Sequence, residues 1–383
     1  MPLTYENFSR LLHWTPADLL LLKNLCSPPE ARAETCHAFL RSFAIDDADR
    51  ETRALMPFFL HQNSQVDFDS AVTSWAKDIF RQVMGDNSRR TAAVLPLIRA
   101  FNQAAVPVLL LKGLALGHVY YQGFALRAMG DVDIAAPADC FDAGLQIART
   151  AGAQQGKTAL HSVDFTVGRN VALDFHCTVF KENYGRTGQE KVLWEKARPI
   201  DFHGAAALIL CPEHLLIGTL INAFTDIIYG MSGKTRLKKW LVDVAVILQQ
   251  KPAFDLELFV HECYRFRLMP QIICLLRAYQ TALGNRFGVW TVDDIVRRLE
   301  NEQAYNQARL KLFAKLGASR QSPARLAIRD KYWEYLYLSD RPAGSLAGFR
   351  TFIYKKHRAE NFGQYVWAAG SKAIARLKSK HVK

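Results

Sequence analysis

The pattern of hydrophobic and polar positions divides the chain into three stretches. Residues 1–84 carry apolar clusters, LLLL at 19–22 among them, and the pattern favours compact helices. VPVLLL (106–111) is a short, wholly apolar run bounded by turn residues, which is typical of a buried strand. Beyond Pro212 the apolar spacing becomes helical and remains so. We therefore expect a helical lead, an α/β core and a helical second half.

Besides a short helix after Gly113, two helices are predicted in the middle stretch. Asp86 and Asn87 are predicted to cap the first, whose apolar positions recur at helical spacing from Ala93 onward. The second is expected at 141–150 and is closed by Gly152, a residue type that commonly ends helices. Together they indicate that helices alternate with strands in this part of the chain.

Several strands are predicted beside these helices. Residues 129–135 form an apolar, extended segment. TALHSVDFTVG (158–168) and NVALDFHCTVF (170–180) alternate apolar and polar residues, so they are expected to pair as strands around a turn at 168–170. Residues 198–210 are expected to form a further short hairpin.

The amino-acid composition excludes several classes of protein. Half of the 383 residues are hydrophobic and 22% are charged, which is ordinary for a globular protein. No apolar run reaches the 18 or so residues of a membrane-spanning helix, and charges interrupt the first 30 residues, so a cytoplasmic location is expected. The seven cysteines are scattered without a C-x-x-C pair, which argues against a disulfide framework and a zinc ribbon.

The net charge of +13 is unevenly distributed. Residues 351–383 hold eight Lys/Arg and one Glu, a net charge of +7. Such a tail suits an anionic partner, namely RNA, an acidic membrane surface or a phosphorylated ligand. A solvated terminal helix would carry the same charge, so both interpretations stay open.

The segment RAMGDVDIAAP (127–137) raises a chemical question, because it places Asp131 and Asp133 inside an otherwise apolar strand. Alternate side chains of a strand share a face, so these two carboxylates point the same way and repel unless a cation lies between them. The same alternation puts Asp174 and His176 on one face of a later strand. If the two strands are neighbours, three carboxylates meet, and hard cations such as Mg²⁺ prefer such oxygens.

Lys112 and Gly113 follow the VPVLLL run and supply the features of a phosphate site. Glycine lets the backbone approach a phosphate, and the start of the following helix favours anions. Arg127 can neutralise a triphosphate through two parallel hydrogen bonds. AGAQQGKT (151–158) fits a relaxed phosphate-loop pattern, but a helix precedes it and a strand follows, the reverse of the order such loops need.

At this point a family resemblance is evident. LLLKGLALGHVYYQGFALRAMGDVDIAAP (109–137), followed by VALDFHC (171–177), resembles the uncharacterised nucleotidyltransferase family of the polymerase-β-like superfamily. PEHLL (212–216) and RLKKWLVDVAVIL (236–248) resemble that family's helical segment after the core. The resemblance extends over about residues 90–245.

The resemblance implies a role for each matching residue. The carboxylates that match the family's catalytic, metal-binding positions are Asp131, Asp133 and Asp174. The residues that match its nucleotide-binding positions are Lys112, Gly113 and Arg127. Many members of the superfamily have Gly-Ser or Gly-Gly at the phosphate turn, whereas this chain has Gly113-Leu114, which leaves the nucleotide's identity open.

The resemblance also implies the fold. We expect an α+β protein with a polymerase-β-like nucleotidyltransferase core and a small mixed sheet at 85–210. An N-terminal helical segment at 1–84 and a helical C-terminal domain at 211–350 would flank this core. The basic tail at 351–383 would follow.

Three residues near the expected site have alternative interpretations. His176 is expected to orient Asp174 or to accept a proton from the acceptor hydroxyl. Asp243 lies among basic residues on a predicted helix, where it supports the site from behind or forms an ordinary ion pair. Arg127 could pair with one acid of the Asp-x-Asp segment instead of a nucleotide.

The expected function is metal-dependent transfer of NMP from an NTP to a hydroxyl-bearing acceptor, with Mg²⁺ or Mn²⁺ and release of pyrophosphate. The acceptor would be a small molecule, a peptide or RNA, the last as in nucleotidyltransferase toxins that modify tRNA. Two further alternatives are a non-catalytic nucleotide-binding protein of the same fold and a metal-dependent phosphatase or nuclease.

Overall fold

The computed structural model describes residues 8, 12, 14–121, 123–159, 161–180, 187–229, 238–249, 254–300, 303–306 and 308. The basic tail at 351–383 lies outside these residues. What is described is a mixed α/β structure, in which one sheet is flanked by helices from both ends of the chain.

Between residues 14 and 108, the structure has four α-helices before the sheet: α1 (Pro16–Cys26), α2 (Arg32–Ser42), α3 (Arg50–Gln62) and α4 (Ser70–Gln103). Side-chain caps set three of their starts. Thr15 and Asp18 form a reciprocal capping box at α1, and the carboxylates of Asp49 and Asp69 cap α3 and α4.

The prediction that Asp86 and Asn87 cap a helix is wrong, because both lie inside the 34-residue α4. Asn87 is buried there, and its Nδ2 donates a hydrogen bond to the backbone oxygen of Arg127 at 2.8 Å. A tertiary partner therefore explains this polar residue. The helix also continues through position 84, where the sequence placed a segment boundary.

In the described part of the chain, seven strands form one mixed sheet: β1 (Leu109–Leu110), β2 (Val132–Ala135), β3 (Gln154–Thr158), β4 (Ser162–Val167), β5 (Val171–His176), β6 (Arg198–Asp201) and β7 (Ala206–Ile209). Their order is β3-β4-β5-β2-β1-β7-β6. The β2–β5 and β1–β7 pairs are parallel and the others antiparallel.

The predicted strand pair and hairpin are confirmed as β4–β5 and β6–β7. Gly168 and Asn170 form the turn between β4 and β5 with φ values of 51° and 59°, which glycine and asparagine tolerate best. The AGAQQGKT segment contributes the outer strand β3, so its interpretation as something other than a phosphate loop is confirmed.

The remaining described helices are α5 (Lys112–Val119), α6 (Phe141–Thr150), α7 (Lys191–Glu195), α8 (Pro212–Tyr229), α9 (Lys238–Gln249), α10 (Leu256–Arg265), α11 (Met269–Leu283) and α12 (Val292–Glu300). A small hairpin, β8 (Arg286–Phe287) with β9 (Trp290–Thr291), interrupts them. Among the helices described, none combines the length and apolar character needed to cross a membrane.

Two apolar clusters hold these elements together. One packs α4 and α6 against the sheet, where Phe175 stacks between Phe101 and Phe141 at centroid distances of 5.4 and 4.9 Å. The other joins the N-terminal helices to α8–α12, with Phe8 stacked on Phe224. The helices before and after the sheet thus share one core.

Candidate active site

A row of carboxylates crosses three adjacent strands. The register places Asp133 of β2 opposite Asp174 of β5, and Asp174 opposite Asp164 of β4. Their strand neighbours Ile134 and Phe175 are buried in the core, so the acids point to the other face of the sheet. The structure therefore brings Asp133 and Asp174 together on neighbouring strands, as the sequence pattern predicted.

Asp131 lies at the entrance to this row, immediately before β2, and is exposed. Although the residue is exposed, the surrounding protein screens its carboxyl partly from water, and this desolvation and the negative charge of Asp133 raise its pKa above the usual value. The nearby ammonium of Lys112 acts in the opposite direction. Carboxylates that repel one another in this way favour the binding of a cation between them.

Asp133 is the most enclosed acid of the row, with only 3% of its side chain exposed. Its Oδ1 accepts hydrogen bonds from Lys112 Nζ at 2.5 Å and from His176 Nε2 at 3.0 Å. Burial raises the pKa of Asp133, but the charge of Lys112 and the bond from His176 outweigh burial and leave the pKa below its usual value. Asp133 is therefore held ionised.

His176 bridges the two central acids, since its Nε2 also lies 3.2 Å from Asp174 Oδ2. Burial by itself would lower the pKa of the imidazole. The hydrogen bonds to Asp133 and Asp174 outweigh that effect and raise the pKa to about 9. Burial likewise raises the pKa of Asp174, and the hydrogen bond from His176 lowers it well below the usual range. The prediction that His176 orients Asp174 stays a prediction, and the geometry adds Asp133 as a second contact.

The donors present suit a divalent cation. Asp174 Oδ1 and His176 Nδ1 are buried and have no hydrogen-bond partner among the residues that the structure describes. A buried polar atom without a partner is costly, so a bound ion or water is expected to satisfy it. The carboxylate oxygens fit Mg²⁺ or Mn²⁺.

Two residues near the row were not predicted from the sequence. Ligand atoms of His161, Asp174 and His176 all lie within 4.8 Å of one another, a grouping that could also hold a metal. Asp164 faces Asp174 across the β4–β5 pair, and burial together with Asp174 raises its pKa. The alternating segment HSVDF and the turn predicted at 168–170 were the available signals, because the turn sets the register that places Asp164 opposite Asp174.

Lys112 occupies a strained turn between β1 and α5. Its φ is 44°, a conformation that residues with a side chain seldom adopt. Burial by itself would lower the pKa of its ammonium. The negative charge of Asp133 outweighs that effect and raises the pKa above the ordinary value. The lysine, 28% of whose side chain is exposed, thus brings a firmly held positive charge to the carboxylate row.

Arg127 and Asp243 lie together behind this turn. Arg127 Nε and Nη2 donate to the two carboxylate oxygens of Asp243 at 2.8 and 2.7 Å, and both side chains are almost wholly buried. The alternative interpretation of Arg127 was an ion pair with an acid of the Asp-x-Asp segment. Arg127 does form an ion pair, but with Asp243 rather than with Asp131 or Asp133. Asp243 is part of the interior and not of a solvated helix surface.

A narrow cleft adjoins Lys112 on the side of the helical second half. Apolar side chains line most of it, with Phe180 and Trp240 as its aromatic walls. Thr219 and Asn222 contribute the polar groups. Its volume of about 20 Å³ is little more than one water needs, so the cleft as it stands is too narrow for a substrate.

Comparison with known proteins gives one match. The model of a family described as uncharacterised nucleotidyltransferase matches residues 52–284. This span includes more than half of the chain and all the acids of the candidate site, and the chain belongs to that family. It is accordingly a nucleotidyltransferase, an enzyme that transfers phosphorus-containing groups. No curated protein and no solved structure matches the chain.

Proposed function

We propose that this nucleotidyltransferase depends on a divalent metal and moves NMP from an NTP to a hydroxyl-bearing acceptor, with release of pyrophosphate. The observation that carries the proposal is the direct opposition of Asp133 and Asp174, with the Lys112 ammonium 2.5 Å from Asp133. Opposed carboxylates beside a cationic side chain suit the metal-bound triphosphate of an NTP. The proposed core is polymerase-β-like.

Asp131, Asp133 and Asp174 are the proposed metal ligands. When bound, Mg²⁺ or Mn²⁺ would offset their repulsion, polarise the phosphoryl oxygens and lower the pKa of an attacking hydroxyl. Asp174 would take the proton from the acceptor hydroxyl, because its Oδ1 is otherwise without a partner in the described structure. His176 would hold Asp174 in position through its other oxygen.

Lys112 would bind the triphosphate. Its Nζ is free to rotate about the end of a flexible chain, so it can divide its three N–H donors between Asp133 and a phosphate oxygen. Gly113 and the start of α5 follow in the chain and place backbone N–H groups beside it.

The class of acceptor decides between two versions of this function. The net charge of +13 favours RNA, to which a basic protein is attracted regardless of sequence. A small molecule or peptide is the other version. A non-catalytic nucleotide-binding protein of the same fold would bind Mg²⁺·NTP without turnover, and a phosphatase or nuclease would act without an NTP.

The test uses each of the four α-³²P-labelled NTPs with Mg²⁺, adding total cellular RNA in one reaction and a small-molecule extract in another. The active-site variant is D131N/D133N. The matched control is D139N/D142N, which removes two exposed acids from the start of α6 instead. Label in RNA or in a small product, made by wild type and control but not by D131N/D133N, would establish the reaction and its acceptor class. Absence of Mg²⁺·NTP binding by the wild type would refute the proposal.

A further inference from the structure

The Arg127–Asp243 pair is held by more contacts than an ordinary ion pair. Besides the two bonds from Arg127, Asp243 Oδ1 accepts a hydrogen bond from the Tyr121 hydroxyl at 2.7 Å. The backbone oxygen of Arg127 accepts one from Asn87 of α4 at 2.8 Å. Arg127 is thus fixed at both its backbone and its side chain, by elements from three parts of the chain.

The third guanidinium nitrogen of Arg127, Nη1, faces the Lys112-Gly113 turn. A Cβ built on Gly113 would lie 2.6 Å from Arg127 Nη1 and 3.0 Å from Met129 Cγ. Atoms cannot approach so closely without a shift, so any larger residue at Gly113 would displace Arg127. This glycine is therefore needed to admit the arginine, which accounts for it without reference to a phosphate.

The turn that Arg127 contacts is also the strained one. Lys112, with its φ of 44°, directly precedes Gly113. Such strain persists only where the surroundings impose the conformation. The backbone N–H of Leu111 donates to the backbone oxygen of Asp133 at 3.0 Å on one side of the turn, and Arg127 packs against Gly113 on the other.

From these contacts we infer that Arg127 and Asp243 are positioning residues, which hold the Lys112-Gly113 turn so that Lys112 reaches Asp133. On this inference Arg127 does not bind the nucleotide, because Asp243 takes two of its three nitrogens, the third lies against Gly113, and only 3% of its side chain is exposed. Asp243 belongs to α9, so the pair ties the helical second half to the catalytic turn. The catalytic consequence rests on the proposed function, whereas the control of the turn does not.

The first test needs no nucleotide. Amide hydrogen exchange is compared between wild type and the variant Y121F/R127M/D243L, which replaces the buried polar group with apolar side chains of similar size, a change that folded proteins often tolerate. The matched control is H214L/E262L, which removes another buried pair, 3.4 Å apart, between α8 and α10. We expect exchange of the Leu111 and Ala115 amides, whose hydrogen bonds to Asp133 and Leu111 flank the turn, to accelerate about tenfold or more in the first variant only. Equal exchange in all three proteins, or equal acceleration in both variants, would overturn the inference.

The second test separates positioning from direct binding. Affinity for each Mg²⁺·NTP is measured by calorimetry for R127M, D243N and the double variant. Positioning predicts losses of about 10- to 100-fold that are similar in the single variants and do not multiply in the double variant. A loss in R127M with unchanged or tighter binding in D243N would mean that Arg127 contacts the nucleotide, and the inference would fail.

Gly113 supplies a complementary measurement within the same series. G113A should weaken nucleotide binding more in the wild type than in the R127M background, because the closer of the two atoms that its Cβ would meet, Arg127 Nη1, is then absent. An equal penalty in both backgrounds would show that the glycine serves the ligand and not Arg127. If the wild type binds no Mg²⁺·NTP, the proposed function fails, while the exchange measurement still decides the inference.

Discussion

Asp133 and Asp174 lie opposite one another on parallel neighbouring strands, and a single nitrogen of His176 lies 3.0 Å from the first and 3.2 Å from the second. Because a buried carboxylate pair is costly unless cations offset it, Lys112 and His176 stabilise the pair without a metal. The same four side chains also provide oxygen donors for a metal ion and a positive charge for a phosphate.

We predict that D133N and D174N each lower the transferase rate by about 100-fold or more. Each removes an anionic oxygen donor, and metal stabilisation of phosphoryl transfer contributes several kcal/mol. Steady-state rates with the labelled NTP that the wild type uses provide the measurement. D142N, an exposed acid on α6, is the control and should retain the wild-type rate. Wild-type rates in D133N would refute the assignment of this carboxylate.

Mg²⁺ should stabilise the wild-type protein against heat but not the D133N/D174N variant. Ligand binding at 100 times its Kd adds about 2.7 kcal/mol, which raises Tm by several degrees. Differential scanning calorimetry with Mg²⁺ or with a chelator measures this shift. The raised pKa of Asp131, caused by burial and by Asp133, marks the repulsion that a cation would relieve. An identical shift in the variant would place the metal elsewhere.

Lys238 is a buried cation that joins α9 to the N-terminal helices. Its Nζ donates to Asp18 at 2.6 Å, to Asp49 at 2.8 Å and to the Thr52 hydroxyl at 2.5 Å. K238M leaves two partly buried carboxylates without their cation, so we expect the free energy of unfolding to fall by about 3–5 kcal/mol. Chemical denaturation measures the loss. K191M, at an exposed lysine, should change stability little.

The same network predicts a dependence on pH. Burial by itself would raise the pKa values of Asp18 and Asp49. The hydrogen bonds and the charge of Lys238 outweigh that effect and help to hold the pKa values of both acids below the usual 3.8. Their contribution to stability is therefore complete above about pH 5 and is lost as the pH falls through the folded-state values. In K238M only the capping hydrogen bonds to Thr15 and Thr52 would still oppose the effect of burial on these two carboxyls, so acidification should cost the variant less stability than the wild type. Parallel stability curves for the two proteins would contradict this.

Two glycines should respond to alanine with opposite signs. In G144A the new methyl group would lie 2.6 Å from the ring of Phe175, which stacks between two other aromatic rings, so we expect a loss of about 1–3 kcal/mol. Gly85 lies within α4 with no atom near its added Cβ, so G85A should gain about 0.5–1 kcal/mol. Urea unfolding of both variants tests the pair. A stabilised G144A would mean that the aromatic stack moves at little cost.

Local patterns were enough to locate most strands and the central acids. Period-two alternation identified β4 and β5, and Gly168 and Asn170 marked the turn between them. These features depend on neighbours in the chain, so a sequence displays them directly. The family resemblance assigned Asp131, Asp133 and Asp174 for the same reason, because their spacing along the strands is part of the motif.

Features that depend on distant partners were not accessible in this way. Asn87 resembled a helix cap because asparagine favours caps, yet its partner is the backbone of Arg127, 40 residues away. Arg127 resembled a phosphate ligand because a guanidinium suits either a phosphate or a carboxylate, and its partner Asp243 is 116 residues away. A side chain's chemistry restricts its partners to a class but does not select one of them.

By itself, the sequence determined the class of fold, the family and the acids Asp133 and Asp174, since periodicity and spacing are properties of the chain. Tertiary structure alone decided which residues surround them. It paired β2 with β5 so that Asp133 lies opposite Asp174, joined the N-terminal helices to the helical second half, and set Arg127 against Gly113 and Asp243. The reason is physical: strand register and helix packing follow from burial and close contact in three dimensions, and these are settled only when the whole chain has folded.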